Sequence, residues 1–268
     1  MGVESERIAG RAGEVGSPSP PYLAVPLNEI AFGVRFVAPD FDLVHFGQYF
    51  ETVKEAFSER QMVPSIAIPQ FPAFGAQTIQ ISTLPRLWLV RESRLIQLQT
   101  DRFIYNWRRV DDSPEKYPGF VKIFAEFRER WSAFIAFSRD AFKIPLKVAE
   151  LSLTYVNQIH DDGSIAAPIF EFRNDNLDMP APELWVSQLR FAYPEANMKI
   201  TVGARPAIHL ATQAPVEQLD MTVESISAPA NDAAAIIDWY EQAHTLVHHT
   251  FKTLIHADWR KKWGFVSE

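Results

Sequence analysis

Apolar residues recur at every second position from Leu27 to Val37, as Ile30, Phe32, Val34 and Phe36, and again from Val148 to Ile159, as Leu151, Leu153, Tyr155 and Ile159. Strand side chains point alternately to opposite faces, so both stretches predict half-buried strands. After the first, Asp40 or Asp42 precedes Leu43 to Phe57, whose Phe46, Tyr49, Phe50, Val53 and Phe57 recur at helical spacing. Leu87 to Val90 and Leu95 to Arg109 flank the turn-compatible Arg91-Glu92-Ser93-Arg94 and predict a hairpin. Within the second run Ile96 and Leu98 occupy one parity, and Phe103, Tyr105 and Trp107 the other. That phase change requires a bulge, a tight bend or a break into two strands near Thr100-Asp101. From Pro118 to Asp140 the residues Phe120, Phe124, Phe127, Trp131 and Phe134 line one side of a helix of roughly 22 residues, about 33 Å long at 1.5 Å per residue. The strand from Val148 is expected to return beside the hairpin.

Further along, Trp185 to Tyr193, Met198 to Val202, Ala207 to Thr212 and Glu217 to Ser227 are short alternating runs broken by Pro194-Glu195, Arg205-Pro206 and Ala214-Pro215, the spacing of an antiparallel meander. Ile169 to Arg173 reads as a further short strand after a turn at Asp161 to Ser164. Asn231-Asp232 then caps a helix with Ile236, Tyr240, Ala243, Val247, Phe251 and Leu254 on one face. Met62 to Gly75 carries Pro64, Pro69 and Pro72 among apolar residues, which rules out a regular helix or a central strand there. The fold class expected is α+β, antiparallel sheets covered by long amphipathic helices. A tail over residues 1–24 precedes a first sheet-plus-helix half, 25–147, and a second, 148–268. The halves form two units or one domain, and a duplicated unit accounts for their shared order.

With 47% hydrophobic residues the chain has ample material for a core. Its formal net charge of −7 disfavours broad contact with nucleic acid or anionic membranes. The absence of cysteine removes disulfides, thiolate nucleophiles and cysteine-ligated metal, and fits a reducing cytoplasm. No window is apolar enough for a membrane helix, and Met1 to Pro21 has the composition of neither a signal peptide nor an anchor. A soluble, cytoplasmic protein is expected.

The run Leu95-Ile96-Gln97-Leu98-Gln99-Thr100-Asp101-Arg102-Phe103-Ile104-Tyr105-Asn106-Trp107-Arg108, with the aromatic helix and Leu153-Thr154-Tyr155-Val156-Asn157 after it, resembles a sporadically distributed bacterial family of similar length. The resemblance extends from Pro26, where Pro-Leu-Asn-Glu-Ile-Ala-Phe-Gly-Val-Arg-Phe looks like the family's opening strand, to Trp263-Gly264. It implies no reaction or cofactor. The family's patchy distribution implies genes on mobile or defence-type cassettes, with a partner encoded nearby.

Two groups of residues carry candidate chemistry. Asp101, Arg102, Asn106 and Arg108, with Gln97 and Gln99, interleave with large aromatics, so they must be exposed, paired or used. They form either an exposed face with an internal ion pair or a site where arginine binds a carboxylate or phosphate and Asp101 orients it or acts as a base. Tyr155 and Asn157 share one face of their strand and meet this cluster if the strands are neighbours; ordinary cross-strand packing is the alternative. In the last helix His244 and His248 lie one turn apart after Glu241, a spacing that serves a metal or simply borders the apolar face, while His249 and His256 point to solvent. The glutamate that a zinc protease places directly after its first histidine is missing. Trp259, Arg260-Lys261-Lys262 and Trp263 either finish the helix or touch RNA or an acidic partner. No Walker loop, dinucleotide glycine fingerprint or Gly-x-Ser-x-Gly elbow is present, so no cofactor is implied. The leading expectation is a non-enzymatic binding protein for a partner protein or a small anionic ligand. A hydrolase or transferase using Asp101 and the arginines, metal-assisted at His244 and His248, is the alternative.

Overall fold

The computed structural model describes residues 26–66, 68–70, 78–80, 84–110, 116–159, 186–209 and 213–255. The N-terminal tail, the turn at Asp161, the strand expected at Ile169, His256 and the basic run at Arg260 lie outside them. Strand β1 (Leu27–Val37) leads into α1 (Leu43–Val53), whose N-terminus is capped by the Asp42 carboxylate on Val44 N. There follow β2 (Glu59–Val63), β3 (Ile68–Gln70), β4 (Thr78–Gln80), β5 (Arg86–Arg91), β6 (Arg94–Gln99) and β7 (Arg102–Arg108), then α2 (Phe120–Phe142) and β8 (Lys147–Ile159). The last part comprises β9 (Ser187–Tyr193), a short 3₁₀ turn, β10 (Met198–Ile208), β11 (Pro215–Ser225) and α3 (Ala233–Leu254).

Nine strands form one antiparallel sheet in the order β2-β5-β6-β7-β1-β8-β11-β10-β9, so the fold is α+β, mostly sheet. The phase change near Thr100 is a tight turn between β6 and β7, and pairing across it sets Ile96 against Tyr105 and Leu98 against Phe103 on one face. Strand β8 does not return beside the hairpin: β1 lies between them, paired to β7 on one side and β8 on the other. Nor does Arg205-Pro206 break the chain, because β10 runs through it. Among the described residues β9 pairs only as far as Ala204, so no described ladder on that side needs a donor from Pro206.

One sheet face is apolar and covered. Phe32 in β1 stacks on Phe124 and Phe127 of α2, with centroids 5.6 and 5.1 Å away, and packs 5.6 Å from Tyr240 of α3. Tyr240 donates its hydroxyl to Gly33 O at 2.7 Å, pinning α3 to the central strand. A single buried cluster runs from α1 to α3 and spans both halves of the chain. The other sheet face carries Glu29, Arg35, Arg86, Trp88, Arg102, Asn106, Arg108, Glu150, Asp220 and Glu224, and none of the three described helices packs on it. No described helix is long and apolar enough to cross a membrane.

Candidate functional site

On the helix-free face, hydrogen bonds run in one direction through four side chains. Trp88 Nε1 donates to Gln97 Oε1 at 3.1 Å, Gln97 Nε2 donates to Asn106 Oδ1 at 2.8 Å, and Asn106 Nδ2 donates to Glu29 Oε1. Gln97 and Asn106 are buried, and each has found the partners that burial demands. Burial raises the pKa of Glu29, opposed by the Arg108 charge, the Asn106 hydrogen bond and the Arg86 charge.

Arginines surround this chain. The Arg86 and Arg108 guanidinium carbons lie 5.4 and 5.2 Å from the Trp88 ring centroid. Arg102 stands 3.4 Å from Asp101 Oδ2, an ion pair without hydrogen-bond geometry at Nε. Among the described residues the Nε atoms of Arg86, Arg102 and Arg108 are buried and have no acceptor. Burial and then the neighbouring Arg102 charge lower the Arg86 pKa, a sign that like charges are held close together.

The residues predicted for this site divide between the two faces of the sheet. Asp101, Arg102, Asn106 and Arg108 do share one face, with Asp101 Oδ1 accepting from Gln99 Nε2 at 3.0 Å. Asp101 is therefore tethered on both sides. Tyr155 and Asn157 do not join them, because their parity in β8 puts them on the helix-covered face beside Met221 and Leu219. Asn157 Nδ2 donates to Leu219 O at 3.2 Å there, and Tyr155 OH lies 2.6 Å from His244 Nδ1.

His244 stacks face to face on Phe120 at 3.8 Å, and His248 packs against it at 4.3 Å with planes 74° apart. Such edge-to-face packing spends the ring contacts on each other. Burial lowers the His244 pKa to about 3 and lowers that of His248, so both rings are neutral at pH 7. Among the described residues no group of three His, Asp or Glu side chains is placed to hold a metal.

Sequence reasoning missed Glu29, Arg86 and Trp88. Each is an ordinary polar-face position in its own strand, and no local signal marks it. Only the register, which sets Glu29 beside Arg108 across β1 and β7 and Trp88 beside Gln97 across β5 and β6, brings them together. No protein-family model and no curated protein matches the sequence. The class of protein is thus given by architecture: a nine-stranded antiparallel sheet, helices on one face, an arginine-rich polar cluster on the other.

Proposed function

We propose that the protein binds a small anionic ligand, through a carboxylate or phosphate group, at Arg86, Arg102 and Arg108 on the helix-free face, without transforming it. One observation carries this reading: among the described residues three buried guanidine Nε–H groups on one sheet face lack acceptors, and two of them, those of Arg86 and Arg108, belong to guanidiniums packed over the Trp88 indole. A buried donor left unpaired costs about 1–3 kcal/mol, and a bidentate oxyanion satisfies Nε together with a terminal nitrogen. The net charge of −7 gives no long-range attraction, so recognition has to come from these few groups at close quarters.

A second line of support comes from the register, which reads as a duplicated unit. Outward from Phe32 the facing residues are Tyr105, Ile96 and Leu89; outward from its partner Leu153 they are Val223, Ile200 and Phe191. Each half contains one strand, a three-strand meander that returns beside it, and a helix after the meander, and the first half adds α1 and the edge strand β2. On this correspondence Arg86, Trp88, Gln97, Arg102 and Asn106 match Gln188, Arg190, Thr201, Asp220 and Glu224. The second half builds the same sheet with unrelated side chains, so architecture alone does not call for the first set. A duplicated unit predicts that residues 147–268 produced alone dimerise through β8 in light-scattering chromatography, with Leu153 near the twofold axis; a folded monomer would count against it.

The absence of cysteine is in keeping with a reducing cytoplasm. Native mass spectrometry of gently purified protein tests the binding function. The expected result is a small added mass that Arg86→Ala and Arg108→Ala remove while the fold persists. A stoichiometric polypeptide in its place would make the protein an interaction module. A bare chain that also shows no affinity for sulfate would overturn the reading.

A further inference from the structure

Glu29 is a carboxylate joined to the Trp88, Gln97 and Asn106 floor of this arginine site, and nothing in anion binding by itself calls for it. It receives the last bond of the Trp88, Gln97 and Asn106 chain at Oε1. The charged groups facing it are Arg108 from β7, Arg86 from β5 and Asp220 from β11, while its β8 neighbour in register, Val156, does not titrate. With no ligand, Glu29 is an internal counter-ion to two arginines whose guanidine Nε groups have no acceptor among the described residues. An incoming oxyanion competes for those guanidiniums. It also adds negative charge beside a half-buried carboxylate already opposed by Asp220.

On the anion-binding reading above, we infer that the site takes up its ligand together with one proton, which Glu29 accepts. The proton comes from solvent and forms an O–H bond at Oε2, the oxygen that Asn106 does not engage, while Asn106 keeps donating to Oε1. With a singly charged carboxylate ligand the proton at Glu29 leaves the charge of the site unchanged, and with dianionic sulfate it offsets one of the two charges that enter. The rise of the Glu29 pKa by burial points the same way, since the carboxyl is already poised toward the neutral form. The neutral amides beneath it then act as a fixed floor: Gln97 and Asn106 hold their orientation whether Glu29 is charged or not. Ligands are accordingly favoured in acid and released as pH rises.

Sulfate is the probe, because it does not itself titrate in the neutral range. Calorimetry in buffers of different ionisation enthalpy, repeated across pH, reads the protons exchanged. The expected result is proton uptake approaching one per sulfate, and affinity that rises by up to about tenfold for each pH unit lowered. Glu29→Gln should bind sulfate with no proton uptake and a flat pH profile, and its melting curve shows whether the fold is kept. Sulfate binding that Arg108→Ala abolishes, but with no proton exchange in the unaltered protein, overturns the coupling and leaves the site standing. No sulfate binding at any pH overturns both.

Discussion

Arg94 grips Glu126 with both edges of its fork, Nε at 2.5 Å from Oε2 and Nη2 at 3.1 Å from Oε1, and so ties β6 to the first turns of α2. Tyr105 OH adds a third bond to Oε2 at 2.8 Å. Burial opposes the Glu126 charge, but the Arg94 and Tyr105 hydrogen bonds win and the pKa is lowered. Truncating Glu126 removes two hydrogen bonds from Arg94, a residue 5% exposed that keeps Ser93 Oγ at Nη1, and removing one partner of such a buried pair costs about 3 kcal/mol. Glu126→Ala should lower stability by that order in denaturant unfolding. The lowered pKa also fixes the sign with pH: this stability is present above the unfolded carboxylate value and fades as pH falls through the folded one. Glu126→Gln should flatten that part of the acid limb.

His244 adds its own pH dependence from the opposite cause. Its folded pKa of about 3 lies below the ordinary histidine value of 6.5, so folding favours the neutral ring. Stability from this group is complete above the unfolded value and is lost as pH falls from about 6.5 toward 3. In ring-proton NMR, His244 should hold its neutral shift down to pH 5. A His244 midpoint near 6.5 would contradict the buried, Phe120-stacked ring.

Gly33 has no room for a methyl group, because a Cβ there would sit 2.3 Å from Ser152 Oγ but an ordinary 3.7 Å from Ser152 Cβ. Gly33→Ala should therefore destabilise by about 1–3 kcal/mol through overpacking. Adding Ser152→Ala should recover most of that loss. Urea unfolding of the two single variants and the pair measures the coupling, and additive effects would contradict the clash.

Cutting the chain between Leu146 and Lys147 should yield fragments that need each other. Strand β1 would lose β8 and Tyr240 would lose Gly33 O, leaving a central edge and one side of the core open. Co-expressed fragments should co-purify in equal amounts with one cooperative melt, whereas neither fragment alone should fold as a monomer. Two independently folded fragments would restore a two-domain division.

Much of the architecture was legible along the chain because strand and helix periods are local. Ile30, Phe32, Val34 and Phe36 announce β1, Phe120 to Phe134 announce α2, and Asp42 and Asp232 both cap the helices they precede. Even the break at Thr100 followed from parity. Sheet order did not, since alternation says which residues share a face of a strand but not which strand lies beside it. Tyr155 therefore looked available to Arg102, although they occupy opposite faces of one sheet. Pro206 looked like a break for a related reason: whether proline ends a strand depends on whether a neighbour needs its missing N–H. The candidate site was half visible, in the polar residues around Asp101, but Glu29, Arg86 and Trp88 reach it from other strands. Local periodicity thus determined the elements and their buried faces, while long-range pairing decided which charges meet, because a side chain's solvation and partners are set by neighbours distant in sequence.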